Sequence, residues 1–233
     1  MSKNSAKDLG SLSLIEEHRS SKKTKTKRSK FFYEVANHQE FFKMAGSYYS
    51  DFQKGIKSFA FSSTGYHSSQ QKCILGVASF FDHREDPSIL IVSENLTQGA
   101  FKPVMDETFE CSFPFSSEEE IDTLQVHSFY DHFDLMNLDT FLKLENNNET
   151  GLDQYEVVDQ VFSSYDLVLW DVPHLNKIQE SPEFYYPMIM KFDYLSVIVS
   201  HSKSKEKDIK SVIDFYSDYG IQLKGFLVDG GES

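Results

Sequence analysis

The chain has 233 residues, 39% hydrophobic and 25% charged, which fits an ordinary soluble globular protein with one α/β core of about 200 residues and a tail. No run of about 18 apolar residues occurs and no apolar signal-peptide core opens the chain, so neither a membrane span nor export is expected, and the cytoplasm is the expected setting. The two distant cysteines, Cys73 and Cys111, form no ligand or redox spacing and suit that reducing setting.

The net charge of −13 conceals an asymmetry. Residues 1–30 carry nine Lys/Arg against three Asp/Glu (+6), and the remaining 203 carry 14 against 33 (−19). Residues 1–30 are Ser/Lys-rich and aperiodic, and read as a disordered tail before one domain over residues 31–233. The acidic body excludes nucleic acid as a partner, because such binding depends on neutralising phosphates. The basic run Lys22 to Lys30 leaves two readings open: contact with an anionic membrane surface or the acidic face of a partner, or a solvated tail that aids solubility.

Aromatic residues at helical spacing from Phe31 to Phe52 predict one helix, or two with a break near Asn37. Strand and helix signals then alternate. Lys57 to Ser62 reads as a strand, Gln70 to Phe81 as a helix and Ser88 to Val92 as a second strand. A less regular stretch follows, including Ser112 to Glu120, with a short strand at Leu124 to Val126. Helical patterns lie near Asn137 to Leu144 and Leu152 to Ser163. Asp166 to Trp170 and Tyr194 to Ser200 are apolar strands, Glu206 to Tyr219 is an amphipathic helix closed by Gly220, and Leu223 to Val228 is the last strand. Near-continuous apolar strands alternating with helices predict a mainly parallel sheet covered by helices on both faces. Ligands of such folds bind at the loops that follow the strands.

The first predicted strand runs into Ser62-Ser63-Thr64-Gly65-Tyr66-His67-Ser68-Ser69-Gln70-Gln71-Lys72, the position and length of a phosphate-binding loop. Such a loop needs glycines to wrap phosphates, a Lys to neutralise them and a hydroxyl for Mg²⁺; here the residue types differ. With Tyr165 to His174 (YDLVLWDVPH), Leu90 to Asn95 (LIVSEN), Glu40 to Ser47 (EFFKMAGS), Phe192-Asp193 and Phe226 to Gly230 (FLVDG), this loop makes residues 38–230 resemble the bacterial tyrosine kinases of the CpsD/CapB type. Those are cytoplasmic relatives of MinD/ParA P-loop ATPases that work with capsule and exopolysaccharide export.

The resemblance implies a three-layer P-loop fold and fixes the candidate positions. The degenerate phosphate loop is Ser63, Gly65, Ser69, Gln70 and Gln71, with Gln70 at the phosphate Lys and Gln71 at the Mg²⁺ hydroxyl. A shifted register would instead make Lys72 the phosphate lysine, with Cys73 at the hydroxyl. Ser93 and Asn95 replace the two carboxylates after the second strand, and Glu94 between them should point to the opposite side of an extended strand. Asp171 keeps the Walker B position. Asp229 replaces the Asn that reads the purine, a change a carboxylate acceptor tolerates. Glu40 and Lys43 occupy the oligomerisation helix, where Gly46 replaces an Arg, and no tyrosine cluster follows Tyr219.

These losses remove most of what positions and neutralises a transferring phosphoryl group. No catalytic residue set is expected to be intact, and no cofactor is expected, with ATP/Mg²⁺ relevant only if the altered site still binds it. The expected role is a regulatory or scaffolding subunit whose partner is a Wzz-like membrane copolymerase or another export component. The alternatives are a membrane-associated spatial regulator of MinD/ParA type and a residual ATP-binding protein or weak kinase. Plainer readings stand beside these: Asp171 accepting backbone N–H groups of the next loop, Gln70 and Gln71 capping or beginning a helix, and Cys73 in the core. His127 and His132, with Asp131 and Asp134, raise a metal site, against the plainer reading of surface residues.

Overall fold

The computed structural model describes residues 39–65, 67–84, 87–116, 121–130, 132–146, 159, 161–200 and 203–229. The basic tail and the 31–38 part of the first predicted helix lie outside these. So does most of the 152–163 helical pattern, of which 159 and 161–163 are described and helical.

Among the described residues eight strands form one sheet: β1 (Ser58–Ser63), β2 (Ile89–Ser93), β3 (Phe109–Ser116), β4 (Ile121–Phe129), β5 (Phe133–Asn137), β6 (Leu167–Asp171), β7 (Tyr194–Ser200) and β8 (Gln222–Asp229). Their order is β3-β4-β5-β2-β6-β1-β7-β8. The pairs within β5-β2-β6-β1-β7-β8 are parallel, and β4 runs antiparallel to both β3 and β5. The helices are α1 (Gln39–Phe52), α2 (His67–Arg84), α3 (Lys102–Met105), α4 (Leu138–Asn146), α5 (Leu175–Glu180), α6 (Pro182–Ile189) and α7 (Glu206–Asp218). None among the described residues is long and apolar enough to cross a membrane.

Period-two alternation along the central strands divides the core into two layers. Phe59, Phe61, Ile89, Ile91, Leu167 and Leu169 face α1, α2 and α3. Ala60, Leu90, Val92, Val168 and Trp170 face α4 to α7. The result is the expected three-layer α/β architecture. Trp170, fully buried, stacks on Phe162 and donates Nε1–H to Ser58 Oγ at 2.9 Å, so its one polar atom is satisfied. Asp193 accepts the backbone N–H groups of Lys57 and Ser58, both at 2.9 Å, and so fixes where β1 begins.

Helix α1 covers the sheet near β1, β7 and β8. Tyr48 stacks on Phe61, meets Phe59 edge-on and hydrogen-bonds Ser196 at 2.6 Å. Lys224 of β8 pairs with Asp51 and lies 4.7 Å from the centre of the Tyr48 ring, which ties the helix to the outermost strand.

Two expectations need correction. The stretch read as irregular holds the strands β3, β4 and β5, and the short strand at Leu124 to Val126 is part of the nine-residue β4. The segment after β6, where no helix was expected, forms α5 and α6.

Candidate functional site

The C-terminal ends of β1, β2 and β6 converge on the first turn of α2. Ser93 and Asp171 are direct partners in the β2–β6 register. Each lies two residues beyond an α2-facing position, Ile91 and Leu169, so both side chains leave the sheet on the α2 side. Ser93 Oγ donates to Asp171 Oδ2 at 2.6 Å and accepts Asn95 N–H at 3.0 Å.

Helix α2 begins at His67, three residues before Gln70. Gln70 and Gln71 therefore sit where the helix's first turn closes, not at its first residue, and both are buried. Gln70 Nε2 donates to Asp171 Oδ1 at 2.7 Å and to the carbonyl of Val172 at 2.9 Å. Two acceptors on one atom fix the amide orientation, and Gln70 Oε1 has no hydrogen-bond partner among the described residues. Asp171 thus accepts from the side chains of Ser93 and Gln70, with Gln71 acting on it as well, where the plainer reading expected backbone N–H groups. Burial pushes its carboxyl up to about 7, against the opposing pull of the bonds from Ser93, Gln70 and Gln71.

Gln71 turns to the loop after β2. Its Oε1 accepts Ala100 N–H at 2.7 Å and its Nε2 donates to the Asn95 carbonyl at 3.2 Å. Gly99, at φ +60°, passes so close that a Cβ would stand 2.3 Å from Gln71 Oε1. Glycine leaves the amide its place there, and at this positive φ any other side chain would be strained and would push the amide aside. Glu94 points to the other side of the sheet, as strand alternation requires, and pairs with Lys177 of α5.

The remaining candidate positions join the same rim. Ser69 donates to Asp229 at the end of β8, so the carboxylate in the purine-reading position is engaged by α2. Thr64 meets Ser204, which also accepts Ser200 N–H at 2.9 Å, linking the loops after β1 and β7. Ser63 is buried at the end of β1, and Gly65 takes φ +126° in the turn that follows. Lys72 is exposed on α2, and Cys73 is buried, its thiol pushed up to about 12 by burial.

Glu40 and Lys43 lie in α1, far along the chain from this rim, and Lys43 is exposed. His132 pairs with Asp82 of α2 at 2.8 Å, and among the described residues no group of three His, Cys, Asp or Glu could hold a metal. The contacts of Gln71 with Ala100, of Glu94 with Lys177 and of Thr64 with Ser204 were not anticipated from sequence. The glycine in Thr97-Gln98-Gly99-Ala100 was the one local signal of a tight approach.

No protein-family profile and no curated protein matches the chain. Solved structures do. The kinase domain of the Escherichia coli tyrosine kinase ETK superposes with a TM-score of 0.60 at 11% identity, covering 91% of this chain and 84% of that one. The VpsO kinase domain gives 0.53 at 9% identity over 83% and 97% of the two chains, and the BceF tyrosine kinase domain 0.52 at 10% over 82% and 76%. The protein therefore has the fold of the bacterial tyrosine kinase domains, a P-loop α/β fold with a mostly parallel sheet.

Proposed function

We propose that this protein uses the tyrosine-kinase fold without its chemistry, as a regulatory or scaffolding subunit that works through protein contacts. The observation that carries the reading is the internal satisfaction of the site. Gln70 and Ser93 engage both oxygens of Asp171, and Gln71 commits both its polar atoms to the neighbouring loop. A magnesium nucleotide does not fit these residues. Residues 62–71 contain no Lys or Arg to neutralise phosphate, and a metal at Asp171 would have to displace two buried hydrogen bonds. Asp229, bonded to Ser69, has one fewer lone pair free for a purine amino group.

The setting, polysaccharide export or envelope assembly beside a Wzz-like membrane copolymerase, comes from the sequence resemblance. A second reading, a MinD/ParA-like regulator held at the inner membrane face, is favoured by the run Lys22 to Lys30. Incubation of the full chain with labelled ATP and Mg²⁺ tests the main reading. Neither phosphate release above buffer nor phosphotyrosine is expected; turnover abolished by Asp171→Asn would overturn it.

A further inference from the structure

Switching P-loop proteins order their loops through the bound phosphates and Mg²⁺, and those loops relax when the ligand is hydrolysed or leaves. In this chain, side chains make the connections. Gln70 joins α2 to the end of β6 through Asp171 and Val172. Ser93 joins β2 to β6. Gln71 reaches from α2 into the loop after β2 and holds it at two points, Asn95 and Ala100, with Gly99 shaped around the amide.

We infer that Gln71 is a built-in latch, which fixes the 95–100 loop in a single conformation without any ligand and makes the rim of the site independent of nucleotide. The inference rests on the reading of the site as non-catalytic and adds how the rim is held. The latch is buried at both ends: Gln71 is 1% exposed and Ala100 6%. A Cβ placed on Gly99 would stand 2.3 Å from Gln71 Oε1, so an added methyl group would have to push the amide aside. Asn95 N–H, anchored on Ser93, holds the start of the loop, and α3 begins two residues after Ala100, so the latched segment is short and closed at both ends.

Hydrogen exchange of the full chain, read by mass spectrometry on peptides covering 95–101, tests this. Gln71→Met keeps the side-chain length and apolar volume but removes both hydrogen bonds. It should speed exchange of that segment by about ten-fold while β7 and β8, which Gln71 does not touch, keep wild-type rates. Gly99→Ala, which drives the amide away with Gln71 still present, is read by the same criterion if Gln71→Met does not fold. Wild-type exchange rates in 95–101 for the folded variant would overturn the latch, as would further protection of the segment when Mg²⁺ and ATP are added to wild type. ATP binding with unchanged loop exchange would instead sink the non-catalytic reading and leave the latch standing.

Discussion

Gln70 Nε2 lies 2.7 Å from Asp171 Oδ1, and this pair joins the first turn of α2 to the end of β6. A neutral amide stands where the fold's phosphate-binding lysine belongs by resemblance. It faces a carboxylate that is fully buried and that only neutral groups are seen to hydrogen-bond. A buried carboxylate without a cationic partner is costly, and that cost gives the first two predictions.

The first concerns pH. Burial raises Asp171 from its ordinary 3.8 to about 7, so the folded state holds this proton more tightly than the unfolded state does. Stability from this group is greatest below about pH 4 and is lost as pH rises toward 7. Asp171→Asn removes the titration. Its stability to urea should fall less than that of wild type between pH 4 and 7, with the two proteins diverging by roughly 3 kcal/mol. Parallel pH profiles would contradict the assignment.

The second concerns Gln70. Gln70→Ala leaves Val172 O and one Asp171 oxygen without the donor they share and opens a small void. Urea unfolding at pH 7.5 should show a loss of about 2–3 kcal/mol. A loss below about 0.5 kcal/mol would mean that the amide is not the carboxylate's main support.

The strands legible in sequence were β1, β2, β6 and β7, whose burial on both faces requires continuous apolar runs, and the edge strand β8, whose Phe226-Leu227-Val228 run announces it although Phe226 and Val228 are exposed. The β3–β4–β5 meander was not legible. Ser112 to Glu120 mixes Pro114 with three consecutive acids, and Phe133 to Asn137, as long as β2 and β6, has its apolar run broken by Asp134 and ended by Asn137. At the site, the replaced residues could be named from their order along the chain. What they do instead could not, because the Ser93–Asp171 contact depends on strand register, and Gln71's depends on where α2 begins.

The third prediction concerns α1. Gly46 sits inside the helix, and a Cβ added there would meet nothing within 4 Å. Gly46→Ala should therefore stabilise the protein by about 0.5–1 kcal/mol. Because Gly46 stands where the resemblance expects an arginine, wild type should scatter light as a monomer or dimer. A stable ring mass, or destabilisation by Gly46→Ala, would contradict this account of the helix.

The fourth concerns the basic run. If Lys22 to Lys30 contacts membranes, the full chain should sediment with anionic vesicles at low salt and release as salt rises. A chain beginning at Phe31 should stay in the supernatant. Equal sedimentation of the two would return the tail to a solubilising role.

The central claim is that the site is closed by its own side chains, and calorimetric titration of the full chain with ATP and Mg²⁺ tests it most directly, paired with a melting curve at millimolar ATP. The account predicts no binding heat above dilution and no rise in Tm, since a ligand that does not bind the native state cannot stabilise it. A saturable, Mg²⁺-dependent isotherm with a matching rise in Tm would contradict it.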